Sequence, residues 1–150
     1  MKTAINKCLI IIIIISLIFN IFQYTNYKIK IDQRQKQNEV LFKLKLQNTI
    51  YNIKNLKTST YDTVVNVSIL SYSLGEVCSL CEMTSYSNKN RNLLPSLLAL
   101  KDIFANNNKL TELLNNTDFH ELLSFLNKVK DNPLDEKSAE DLYNISIKIR

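Results

Sequence analysis

The sequence predicts an all-α protein, with an N-terminal transmembrane helix followed by a small helical bundle of two long helices and three or four shorter ones. Three observations carry that expectation. Residues 8–22 (CLIIIIIISLIFNIF) form a run without a single charge. The 150 residues hold one Gly and two Pro, all from Gly75 onward, so the chain has few obligatory helix breaks. Downstream, apolar residues recur every three or four positions, the period of an amphipathic helix.

The apolar run comes first. Lys2 and Lys7 precede it, giving the charged n-region and apolar h-region of an export signal. The segment after it, Gln23-Tyr24-Thr25-Asn26-Tyr27-Lys28, lacks the small residues a secretory peptidase needs, and Cys8 opens the run where a lipoprotein cysteine would close it. Residues 1–27 are therefore expected to stay as a signal-anchor, with Cys8, Ile12, Ile15, Phe19 and Phe22 in the membrane. Fifteen residues rise only about 22 Å against a hydrocarbon core of about 30 Å, so the flanks must lengthen the span. Phe19, Phe22, Tyr24 and Tyr27 supply an aromatic belt on one side, and Lys7 can snorkel on the other.

Two arguments on orientation conflict. Lys2 and Lys7 favour an N-terminus in the cytoplasm. Lys28, Lys30, Arg34 and Lys36, just beyond the span, favour the reverse by the positive-inside rule. Long domains cross largely regardless of charge, so the expectation is a single-pass protein with a cytoplasmic N-terminus and an extracytoplasmic domain.

The charge of +5 is unevenly spread. Residues 28–57 hold eight Lys/Arg and two acids, whereas residues 58–150 hold nine Lys/Arg and twelve acids. The basic character thus belongs to the segment beside the membrane. Nucleic acid is not the expected partner, because a nucleic-acid binder carries its basic patch on the folded domain. Lys28, Lys30, Arg34 and Lys36 are instead expected to face anionic headgroups of the bilayer. Abundant Ile, Asn and Lys share AT-rich codons, which suggests an AT-rich bacterial genome.

Residues 28–57 read as a basic juxtamembrane amphipathic helix, with Phe42, Leu46, Ile50, Ile53 and Leu56 on one face. Residues 58–150 read as the helical domain. Ser59 and Asp62 resemble a capping box before a long helix over residues 60–86, with Val64, Val67, Leu70 or Ser71, Leu74, Cys78 and Cys81 on its apolar line. Residues 87–90 read as a polar loop. A third helix to about residue 105 carries Leu93, Leu97, Leu100 and Phe104. Asn106-Asn107-Asn108 breaks it, and a short helix over 109–114 follows. Asp118 with Glu121 caps the next, and Asn132-Pro133 reads as N-cap and first helical position of the last.

Chemistry-bearing motifs are few. Cys78-Ser-Leu-Cys81 has redox-motif spacing, but it falls late in a helix between Glu76 and Glu82, where neither dipole nor neighbours favour a thiolate. Both cysteines are expected on the core line, with a redox or disulfide pair as the alternative. A zinc site needs four ligands, and the chain offers these two and a distant His120. One glycine excludes phosphate-binding glycine loops. No cofactor, metal or catalytic residue is expected. The function expected is a membrane-anchored accessory or protein-interaction domain of the cell envelope, with a protein partner of unknown identity. The alternatives are a ligand- or toxin-intercepting sensor or immunity-type protein, and a thiol-dependent module.

Overall fold

The computed structural model describes residues 2–56, 63–115 and 118–149, with side chains described from residue 10 in the first segment and from residue 67 in the second. Seven helices and no strand occur among the described residues: α1 (Lys2–Asn55), α2 (Thr63–Glu82), α3 (Tyr86–Lys89), α4 (Leu93–Phe104), α5 (Asn107–Asn115), α6 (Asp118–Asp131) and α7 (Glu136–Lys148). The chain divides into two units, Met1–Gln35 and Lys36–Arg150.

The first unit is helical throughout its described residues. With neither Gly nor Pro, nothing interrupts the backbone ladder. Helix therefore extends the apolar run on both sides, and from Lys7 to Tyr27 it rises about 30 Å, the thickness that the run alone falls short of. The Lys28–Asp32 stretch, which alternates like a strand, is part of the same helix. Residues 10–34 are all exposed in the chain itself.

The second unit holds the core. Phe42, Leu46, Ile50 and Ile53, the predicted apolar face, are buried there. Several polar contacts tie this part of α1 to the α2–α3 region. Thr49 Oγ1 and Ser73 Oγ lie 2.6 Å apart, Ser85 Oγ donates to Glu39 Oε1 at 2.6 Å, and Asn38 Nδ2 donates to the Met83 carbonyl at 3.3 Å. The Phe42 and Tyr86 rings meet with centroids 5.8 Å apart. Helix α4 is the centre. It packs against α2 and α7, and α7 packs in turn against α6. Seven of its twelve residues are buried, so it is apolar on most of its circumference, as an enclosed helix must be.

Several boundaries differ from the sequence expectation, each for a local reason. Helix α2 stops at Glu82 because buried Thr84 donates its hydroxyl to the Cys81 carbonyl at 2.7 Å and accepts from Tyr86 N at 3.2 Å. The expected loop 87–90 begins as a helical turn, α3, which makes five shorter helices instead of three or four. Only Asn106 of the asparagine triplet breaks the chain: its Oδ1 accepts from Asn108 N at 3.0 Å and Lys109 N at 3.3 Å, so the next helix starts at Asn107. Asp118 is the first residue of α6, and with Glu121 it places carboxylates at the positive end of the helix dipole. Asn132 and Pro133 form a turn, with Leu134 N donating to Asn132 Oδ1 at 3.3 Å. Asp135 caps α7 instead, accepting from Ser138 N at 3.3 Å and Ser138 Oγ at 2.6 Å. The Ser59–Asp62 capping box lies outside the described residues.

Candidate functional site

Four features of the surface and interior bear on function, and each follows from a helix period. The first is the span itself. Ile12, Ile15, Phe19 and Phe22 are all exposed large apolar side chains, and the helix is long and apolar enough to cross a membrane. The Cys8 side chain lies outside the described residues.

The second is the basic segment. Lys28, Lys30, Arg34 and Lys36 are all exposed. At about 100° per residue they do not share one face but are distributed round α1. This collar, with Asp32 among its cations, carries Lys28, Lys30 and Arg34 within about 10 Å of Tyr27 along the axis, about a Debye length from the end of the span.

The third is a second apolar face on α1 that the sequence reading did not single out. Val40, Leu41, Leu44 and Tyr51 are 59%, 50%, 53% and 66% exposed. Two residues advance a helix by about 200°, so Val40, Leu44 and Tyr51 lie diametrically opposite Phe42, Leu46 and Thr49. Between Lys36 and Leu56 the helix is thus apolar on two opposite sides, one inside the core and one facing solvent. The available signal was the presence of apolar residues off the core line; a helix buried on one side needs none there. Lys36, Lys43 and Lys54 flank this face.

The fourth is an open groove of about 880 Å³ lined by Lys45, Tyr72, Gly75, Glu76, Ser79 and Lys101. The Lys45 ammonium pairs with Glu76 Oε2, a buried oxygen that this cation neutralises. A Cβ added to Gly75 would meet Lys101 Cε at 3.8 Å and Nζ at 4.0 Å, ordinary contact distances, so no close helix approach requires the glycine. The groove's hydroxyls have no histidine beside them: His120 is exposed on α6, its ring edge-on to Phe119.

Cys78 and Cys81 are free thiols, both buried in the core cluster with Leu74 and Val77. Burial pushes the Cys78 thiol up to about 11, although Lys101 pulls the other way. Burial, reinforced by Cys78 and Glu82, pushes Cys81 up to about 12. Both thiols are therefore held protonated at neutral pH, the opposite of what a nucleophilic or metal-binding cysteine needs. No group of three or more His, Cys, Asp or Glu side chains suited to a metal occurs among the described residues.

No protein-family model, curated protein or solved structure matches this chain.

Proposed function

We propose that this protein is a single-pass membrane anchor carrying a helical domain that binds another protein at the cell envelope. The observation that supports this most is the solvent-facing apolar side of α1. Placing Val40, Leu44 and Tyr51 in water loses about 1.5–3 kcal/mol per side chain relative to burial, and nothing in the fold calls for them. The partner that fits is an amphipathic helix, its apolar face laid along this line and its flanking acids opposite Lys36, Lys43 and Lys54. The domain lies on the extracytoplasmic side in this reading, with the basic collar at the headgroups.

The test is photo-crosslinking of the full-length protein in its native membrane, with a benzophenone amino acid at Leu44, at Tyr51 or, as a control, at exposed Glu140. A discrete adduct at 44 and 51, absent at 140 and abolished by Leu44→Glu placed beside the probe at 51, supports the docking face. Equal labelling at all three positions, or none at 44 and 51, removes it. Sidedness is read separately from Ser124→Cys, an exposed position, by labelling intact and lysed cells with an impermeant maleimide. Labelling only after lysis reverses the orientation.

A further inference from the structure

The apolar span is not uniform. Ser16 and Asn20 interrupt it, and Gln23 and Tyr27 follow at spacings of three and four. At about 100° per residue all four fall within an arc of about 60° of α1, while Ile14, Ile18 and Ile21 lie on the other side. The polar groups of the span differ in how they are satisfied. Thr25, off this line, donates its hydroxyl to the Ile21 carbonyl at 2.7 Å, the usual way a hydroxyl is accommodated in an apolar helix. Among the described residues the Asn20 carboxamide has no such hydrogen bond. With the span at Lys7–Tyr27, Phe19 and Phe22 fall inside the apolar layer and not in the belt, and Asn20 lies about 10 Å along the axis from Tyr27, too deep for so short a side chain to reach the headgroup layer.

An amide at that depth has two donors and an acceptor to satisfy, and lipid offers none. A partner helix must present a hydrogen-bonding group at the same depth. A second copy of this chain, inserted in the same direction, does so by symmetry, because a two-fold pair sets Asn20 against Asn20 and an amide is its own complement. The spacing of four, three and four averages about 3.7 residues, close to the helix period itself, so the four side chains keep to one face over three turns, where a partner helix can follow them. Resting on the membrane-anchor reading above, we infer that α1 self-associates in the bilayer as a parallel pair through the Ser16–Asn20–Gln23–Tyr27 face.

The experiment uses the full-length protein in liposomes washed with alkaline carbonate. A benzophenone amino acid is placed at Ser16, Gln23, Ile14 or Ile21 in turn. The expected result is a covalent dimer from positions 16 and 23 and little from 14 and 21. Asn20→Leu, read by energy transfer between labelled copies in the same liposomes, weakens association roughly five- to thirty-fold, while Asn20→Gln and Ile18→Leu leave it near the wild-type level. Equal crosslinking on both faces, an Asn20→Leu variant that associates as well as wild type, or energy transfer absent from carbonate-resistant protein overturns self-association and leaves the anchor standing. Release of the protein by carbonate overturns the anchor and the pairing with it.

Discussion

At the scale of single residues, the core line of the second long helix was legible in the sequence because the 3.6-residue period marks it. Leu70, Leu74, Cys78 and Cys81 are all buried where the pattern put them. The polar residues of the core were not legible, since their burial depends on partners distant in the chain. Thr49 and Ser73 are 24 positions apart and meet inside. Thr49 also donates to the Lys45 carbonyl at 2.9 Å, so its proton is committed there and Ser73 must be the donor between the two hydroxyls. The two truncations are therefore unequal. Thr49→Val strands the Ser73 proton and lowers stability by about 1–3 kcal/mol, whereas Ser73→Ala leaves Thr49 bonded and costs less. Urea unfolding of both variants decides it, and equal losses would reverse the donor assignment. Asn90 is a similar case. It sits in a stretch that reads as a polar loop, yet it is fully buried, donating to the Pro133 carbonyl at 2.9 Å and accepting from Asn92 N at 3.1 Å. The cysteines give a second prediction. Their folded-state pKa values of about 11 and about 12 lie above the ordinary thiol value, so the neutral thiols stabilise the fold below about pH 9. That contribution is lost as pH rises through 11 to 12. Cys78 and Cys81 should resist iodoacetamide at pH 8 in the folded protein and react once it is unfolded; equally fast alkylation in both states would mean they are not packed as described.

At the scale of elements, the existence of every helix but the one-turn α3 was readable, and helix ends were not. Ends depend on which of several eligible side chains wins the free backbone groups, and the sequence offers rivals. The last helix does not start at Asn132-Pro133, the only start expected from the sequence, because those residues form a turn. Asp135 starts it, and the helix that follows sets Ala139, Leu142, Ile145 and Ile149 in the core. The Ser138 bonds hold the Asp135 carboxyl below its ordinary value, so the cap works above that range and weakens as pH falls through it. Asp135→Ala should accordingly lower the urea midpoint at pH 7 by more than it does at pH 3, and a loss independent of pH would remove the charged cap. Within α2, Gly75 is helical without a positive φ, and its added Cβ meets only the flexible end of Lys101. Gly75→Ala should thus stabilise the protein by about 0.5–1 kcal/mol, measured by thermal or denaturant unfolding. A destabilised variant would show that α2 or α4 comes closer there than ordinary contact.

At the scale of the whole molecule, composition showed where the charge lies and the apolar run showed the membrane-length helix, but neither showed that one helix serves two units. Residues 36–55 belong to α1 by backbone and to the second unit by packing. This has a direct consequence for where the chain can be divided. A fragment beginning at residue 58 leaves behind Phe42, Leu46, Ile50 and Ile53, each 7% exposed or less. At about 1.5–3 kcal/mol per buried side chain, that is about 6–12 kcal/mol, as large as the whole stability of a typical domain. A fragment of residues 36–150 keeps them and omits the span. It should express as a folded helical protein with a cooperative urea transition, while 58–150 should bind hydrophobic dyes and unfold without a sharp midpoint. The longer fragment also retains Val40, Leu44 and Tyr51 on its surface, so its solubility should improve on Leu44→Glu with no loss of helix by circular dichroism. A cooperative 58–150 fragment would mean that α1 lies against the bundle without contributing to it. The four buried side chains and the Thr49–Ser73 bond would then add nothing to stability.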